Sequence, residues 1–277
     1  MKSLILNADD YGMNEAVSRG ILKAAAEGPV RAASAMANCP DFDRAMDDLA
    51  GSGASLDVGV HLTLTWGEPL SKPREIPTLV DDDGRFHERA VLLRRALLGS
   101  VSEAEAYREF RAQCARLSER LPRITHLDGH HHVHSYPTIC RAAERVAREF
   151  EIPFVRAPRE GLWSPWRWYA ARRVGIAMLA ASGRRYWRER GFKTADYFGG
   201  FALGGVGDFK RRWIESLDRI PEGVGEVMVH PGLASVENDS YDVGRRAELD
   251  WLSGSDLSES AEERGVGFTF FSELFPS

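Results

Sequence analysis

Short apolar runs that end in polar, ligand-type residues recur along this chain, and segments of helical periodicity follow them. Leu4-Ile5-Leu6 ends in Asn7-Ala8-Asp9-Asp10-Tyr11-Gly12, Val58-Gly59-Val60 ends in His61, and Val227-Met228-Val229 ends in His230-Pro231-Gly232. The apolar stretch from Ile124 runs into His126-Leu127-Asp128-Gly129-His130-His131-His132-Val133-His134, which holds five of the eight histidines. Repeated β–α units of this kind favour a parallel sheet, because each helical crossover returns the chain to the same end. With seven or eight such units in the sequence, an α/β fold of the TIM-barrel-like (β/α) barrel type is expected rather than an open sheet. The polar run-ends would then meet at the C-terminal mouth.

The coarse pattern places strands at Ser3–Ala8, Arg31–Asn38, Leu56–Thr65, Ile124–Asp128, Pro153–Arg156, Asp196–Ala202, Gly225–Val229 and Val266–Phe271. Helices are expected at Glu15–Glu27, with Asn14 as N-cap, and at Phe42–Leu49, Glu88–Leu121, Pro137–Phe150, Phe209–Leu217 and Arg245–Leu252. The polar stretch Trp66–Phe86 carries Pro and Gly and is long enough for a lid or binding loop. With no internal repeat and no low-complexity linker, one domain over residues 1–277 is the simplest organisation.

Bulk properties narrow the function. A net charge of −5 argues against a dedicated nucleic-acid binder. No apolar run approaches the roughly 20 residues of a membrane span. The N-terminus opens on a strand-like run rather than a leader, so a cytoplasmic location is expected. Cys39, Cys114 and Cys140 are widely spaced and odd in number, which reads as reduced thiols rather than a zinc or disulfide framework.

Imidazoles and carboxylates at run-ends are the ingredients of a cation site that works on water. Neighbours on an extended strand point to opposite sides, so Asp9 and Asp10 are expected to do different jobs, one binding metal and one accepting a proton. By the same alternation His126, Asp128 and His130 share a face if the strand persists, with His131 turned away. Only one or two of the five clustered histidines have room beside Asp10 and His61; the others would orient ligands or line the mouth. His230, before a Pro-Gly turn, suits a proton donor to a leaving group.

Asn-Ala-Asp-Asp-Tyr-Gly at 7–12, Gly-Val-His-Leu-Thr-Leu-Thr at 59–65, His-Leu-Asp-Gly-His-His-His-Val-His at 126–134 and Glu-Val-Met-Val-His-Pro at 226–231 together resemble the YdjC-like carbohydrate deacetylases. The likeness extends to Arg245 and Glu248-Leu249-Asp250. It implies a TIM-barrel-like fold and a divalent cation held by Asp10, His61 and His130, with Asp9 as general base and His230 as acid. Zinc suits the nitrogen ligands, while magnesium, cobalt and manganese remain open. Arg156, His132 and Tyr11 are the candidate substrate contacts, and Arg156 also stands at a strand end where it would keep Asp9 ionised. The implied activity is hydrolysis of the N-acetyl group of an N-acetylhexosamine, releasing acetate. Hydrolysis of another ester or phosphoester, and non-catalytic sugar or lipid binding, are the competing readings. A homodimer is the expectation from the family.

An insert at about 161–195 departs from this pattern. Between Gly161 and Lys193 it holds Trp163, Trp166, Trp168, Tyr169, Tyr186 and Trp187 with seven arginines and one acid, Glu189. Such a helical aromatic and basic segment packs against the barrel or a second subunit, stacks on sugar, or touches a membrane surface. With Asp196-Tyr197-Phe198-Gly199-Gly200 it resembles the hopanoid-biosynthesis-associated branch of the family. That likeness implies a lipid-linked N-acetylated sugar and peripheral contact with the inner membrane.

Overall fold

Strand β1 (Lys2–Tyr11) organises the sheet, and it is buried from Leu4 onward. It pairs in parallel with β7 (Gly223–Val229) over Lys2–Ala8. It also pairs with β8 (Val266–Phe268) at Lys2–Leu4 and with β2 (Ala32–Ala35) from Asn7 to Tyr11. Beyond β2 lie β3 (Asp57–Leu62), β4 (His126–Gly129) and β5 (Phe154–Val155); β6 (Tyr197–Gly199) lies outside β7. Each of these pairings is parallel. The sheet curls until β5 meets the stretch ahead of β6: Val155 N–H donates to the Lys193 carbonyl and Lys193 N–H to the Pro153 carbonyl, both at 2.9 Å. This is the α/β, TIM-barrel-like arrangement expected from the sequence. It is a computed structural model and describes residues 1–158, 183–200, 209–234 and 244–274.

The helices form where capping and periodicity agree. In α1 (Glu15–Glu27) the Asn14 side chain accepts from Val17 N–H at 2.9 Å, and Val17, Gly20, Ile21 and Ala24 face inward. In α5 (Ile139–Glu149) the buried positions are Ile139, Ala142, Ala143, Val146 and Ala147, a single apolar stripe. Burying Ile139 and Val146 stabilises the fold by about 1.5–3 kcal/mol each. The expected long helix at 88–121 is two helices, α3 (Arg89–Leu97) and α4 (Glu103–Ser118). Gly99, at φ +69°, turns the chain between them. Among the described residues the remaining α-helices are α2 (Phe42–Ser52), α6 (Phe209–Leu217), α7 (Arg245–Leu252) and α8 (Ser255–Glu262). α8 is not legible as a helix in the sequence, since its polar run Ser-Asp-Leu-Ser-Glu-Ser-Ala-Glu buries only Leu257 and Ala261.

The stretch 66–86 is tied down rather than free. Glu109 of α4 accepts from Leu70 and Ser71 N–H, and Glu105 accepts from the Thr78 backbone and hydroxyl. Gln113 exchanges hydrogen bonds with both backbone groups of Thr63. The buried Glu109 and half-buried Glu105 are satisfied by these donors, which is why α4 tolerates them on its inner face.

Two apolar layers separate cleanly. Leu4, Leu6 and Ala8 of β1 join the core between sheet and helices, whereas Ile5 joins Ala32, Phe154, Ala195 and Phe271 in a small plug. Above that plug Asn7, Ser34, Asp128 and Arg156 face inward, with Phe198 beside the guanidinium. Of the insert, 161–182 lies outside the described residues, including Trp163, Trp166, Trp168 and Tyr169. Trp187 is fully buried, edge-on to Tyr186 and Phe192, so these two insert aromatics pack inward, with the Tyr186 hydroxyl donating to Glu144. Among the described residues no helix is long and apolar enough to cross a membrane. All three cysteines are free.

A large ring on one strand sits over a glycine on the next. A Cβ on Gly59 of β3 would lie 2.4 Å from Cδ2 and Nε2 of His126. Gly59→Ala should therefore cost about 1–3 kcal/mol of stability by overpacking. Thermal unfolding would register this as a lowered Tm, and an unchanged Tm would contradict the packing of His126 against β3.

Candidate active site

The strand ends meet as the sequence requires, but a bulge sets the details. The β1–β2 register shifts between Ala8 and Tyr11, and Asp10 sits at φ +72°, a left-handed conformation costly for a non-glycine residue. Below the shift, inward positions alternate normally through Ile5, Asn7 and Asp9. The shift then turns Asp10 inward as well, so both adjacent carboxylates reach the mouth. It also sends Tyr11 outward into the helix-facing core, where its hydroxyl donates to the Ala45 carbonyl of α2. In this structure Tyr11 is thus a framework residue rather than a substrate contact, a difference that the bulge explains.

Asp10 Oδ1 lies 3.3 Å from His61 Nε2 and 3.0 Å from His130 Nδ1. All three residues are buried, with one ligand-type atom of each lying within 4.8 Å of the others. His61 comes from β3, and its Nδ1–H donates to Asp128 Oδ1 at 2.7 Å, which leaves Nε2 directed at Asp10. His130 follows the end of β4, where His131 and His132 take up left-handed backbone angles (φ +53° and +56°). The expected strand alternation therefore holds for His126 and Asp128 and gives way at Gly129. Trp66 stands half-buried beside His130, edge-on at 5.9 Å.

Asp9 has different company. Arg156 Nη1 and Nη2 donate to its two oxygens at 2.6 and 2.7 Å, and Asn7 Nδ2 donates at 2.8 Å. The same guanidinium reaches Asp128 Oδ2 and Glu226 Oε1, both at 2.6 Å. Ser34 links Asn7, Asp128 and His126. Arg156 is 1% exposed, so it meets these acids rather than solvent. Asp9, His61 and Asp128 also lie close enough to form a second ligand group, but a guanidinium already occupies the carboxylates there.

His230 follows β7, which pairs Val229 with Ala8, so His230 stands alongside Asp9 in the sheet. Its backbone N–H donates to Glu248 of α7. His132 is buried against Phe198 of β6, with ring centroids 6.0 Å apart.

Burial and partners divide the charges. Burial alone would favour neutral His61, but the carboxylates of Asp128, Asp10 and Asp9 prevail and push its pKa up to about 10. Burial also opposes the charge on Asp10, yet Arg245, His130 and His61 hold its carboxyl well below the usual range. Glu226 is raised to about 7 by burial, with Arg156 opposing and Asp128 and Asp9 adding to the rise. Burial keeps His126 and His134 neutral, at about 3 and about 4.

The donor set suits a dication: one carboxylate oxygen, two imidazoles, and an outer carboxylate that orients His61. Sequence reasoning assigned no role to Asn7, Ser34, Asp128 or Glu226. The available signal was polar residues at the inward parity of otherwise apolar strands.

Residues 3–263 match the sequence pattern of the family described as YdjC-like protein. The chain belongs to that family. Among its relatives, the carbohydrate deacetylase of Clostridium beijerinckii is 35% identical over 276 residues, with 98% of this chain and 99% of the relative covered. The carbohydrate deacetylase of Brevibacillus brevis is 34% identical over 275 residues, with 98% and 99% covered. A crystal structure from Enterococcus faecalis, provisionally described as a cellobiose-phosphate cleavage protein, superposes with a TM-score of 0.80. It is 27% identical, with 99% of this chain and 98% of that one covered.

Arg156→Met would leave Asp9, Asp128 and Glu226 facing one another without their shared cation. Removing one partner of a buried ion pair costs about 3–5 kcal/mol. Urea unfolding of the variant should show a loss of that order at neutral pH, and a shift below 1 kcal/mol would refute this charge balance.

Proposed function

We propose that this chain is a metal-dependent carbohydrate deacetylase that hydrolyses the N-acetyl group of an N-acetylhexosamine, releasing acetate and a free amino sugar. The observation that carries the reading is the single Asp10 oxygen facing His61 Nε2 and His130 Nδ1, with Asp9 held on a separate partner beside them. Family membership and the relatives named carbohydrate deacetylase support the same reaction.

An amide is a poor electrophile with a poor leaving group, so its hydrolysis needs a base, an acid and charge stabilisation. Asp10, His61 and His130 would hold the dication, which would acidify a nearby water and polarise the acetyl carbonyl. Asp9 accepts the proton of the attacking water, and Arg156 holds the Asp9 carboxylate in place for that task. His230 protonates the departing sugar nitrogen. Asp128 holds the His61 ring in the tautomer whose Nε2 faces the site. His132, buried beside Phe198, borders the β6 side of the mouth, where the sugar would enter. Nitrogen ligands favour zinc or cobalt, and the same three groups accept magnesium or manganese. Lipid linkage, inner-membrane contact and a homodimer are carried by the family likeness alone.

Acetate release from free and lipid-linked N-acetylated sugars, using metal-stripped and reconstituted protein, tests the reaction. Asp9→Asn should abolish turnover and keep the metal, whereas His61→Ala and His130→Ala should lose it. Wild-type acetate release in all three variants would overturn the assignment.

Metal uptake should also release a proton. His61 holds its extra proton up to about pH 10, and a cation needs the bare Nε2. Apparent affinity should therefore rise as pH increases towards 10, by about tenfold per unit. Calorimetric titrations in buffers of different ionisation heat should give different apparent enthalpies, and identical heats would refute the displaced proton.

A further inference from the structure

We propose that Arg245 is a positioning residue that restricts Asp10 to one ligating oxygen and thereby biases the site towards cations of low coordination number. The proposal rests on the metal reading above and goes beyond it to the choice of cation.

The two oxygens of Asp10 face different groups. Oδ1 lies against His61 Nε2 and His130 Nδ1 at 3.3 and 3.0 Å, while Oδ2 accepts from Arg245 Nη2 at 2.6 Å. Arg245 and Asp10 are both essentially inaccessible to solvent. A charge-assisted bond this short in a dry setting keeps Oδ2 occupied.

The chain around Arg245 is built to hold it there. Its carbonyl opens α7 and accepts from Gly232 N–H at 3.1 Å. A Cβ on Gly232 would come within 3.2 Å of Arg245 Cβ and Cδ, so glycine at that position leaves room for the arginine. Gly20 of α1 packs in turn on Gly232, where an added Cβ would lie 2.6 Å from its Cα. Helix α1, the turn after β7 and α7 are thus nested around one guanidinium, and Glu248, one turn further along α7, anchors the His230 backbone. The first turn of α7 therefore serves both a metal-ligand candidate and the acid candidate.

The consequence follows from ligand chemistry. A carboxylate with both oxygens free can chelate, which suits oxygen-seeking cations of high coordination number. A single oxygen with two imidazoles makes a three-ligand set with open positions, which suits zinc and cobalt. Arg245 also cancels the charge of Asp10, so less negative charge opposes the polarising effect of the cation on substrate.

The test compares wild type, Arg245→Lys and Arg245→Met after removal of metal. The readouts are circular dichroism for folding, competition titrations for zinc and magnesium affinity, and the visible absorption of the cobalt-loaded protein. Removing a partner that orients a ligand lowers affinity by about 10–100-fold. Zinc affinity should fall by that much in folded Arg245→Met, magnesium affinity should fall less, and the cobalt bands should weaken as Oδ2 joins the coordination. Arg245→Lys, which keeps the charge and loses the fork, should lie between the two. Unchanged cobalt bands with an unchanged zinc-to-magnesium ratio in either folded variant would overturn the proposal, as would complete loss of metal from a folded variant. If wild type itself takes up no dication, the metal reading fails first and this inference falls with it.

Discussion

One guanidinium in the middle of the curled sheet holds three acids apart. Arg156 donates to Asp9, Asp128 and Glu226 from β1, β4 and β7, so the polar layer above the apolar plug hangs on a single side chain. Each of those acids then acts on something else. Asp128 orients His61, Asp9 is the proposed base, and Glu226 is raised to about 7 by burial. Three carboxylates share that guanidinium in a dry interior, and the protonated His61 against Asp128 and the raised Glu226 limit their combined charge. A neighbouring dication would relieve it, which couples metal binding to the stability of the barrel centre.

Two adjacent aspartates have different partners because the backbone separates them and two arginines then claim them. The bulge and the positive φ at Asp10 break the alternation that would have pointed one carboxylate away from the mouth. Arg156 engages both oxygens of Asp9, whereas Arg245 engages one oxygen of Asp10. Strain of this kind costs on the order of 1–3 kcal/mol and persists only where surrounding contacts overdetermine it. Here the short bonds to two buried arginines supply that constraint.

Much of this was legible in the sequence because strand-end chemistry follows from periodicity. Asn7 to Asp10, His61, the histidine run and His230 all stand where apolar runs stop, and the parallel fold brings those stops together. The exceptions are backbone events that period-2 reasoning does not see. Alternation would put Tyr11 on the same side as Asp9, and the bulge reverses it. Alternation would extend β4 to His130, and the left-handed turn at His131 and His132 ends it sooner. The split between α3 and α4 falls at Gly99, a visible signal. Helix α8 was missed because its residues are polar and its burial depends on neighbours distant in sequence.

A polar interior asks the surrounding strands to be unusually small. Barrel centres are ordinarily filled by branched aliphatic side chains that interdigitate in layers. Here β2 turns only Ala32 and Ser34 inward, and β3 carries Gly59 beneath the His126 ring. Small residues cede the volume that imidazole and guanidinium groups then occupy, and the plug of Ile5, Phe154 and Phe271 closes the layer from below. The His126 ring stacks on Phe271 at 4.1 Å and touches Ser34 at 3.1 Å, so it joins the apolar plug to the charged layer. The placement of small residues along β2 and β3 is therefore part of the architecture of the site. Enlarging them would displace the rings and arginines long before it disturbed the helices outside.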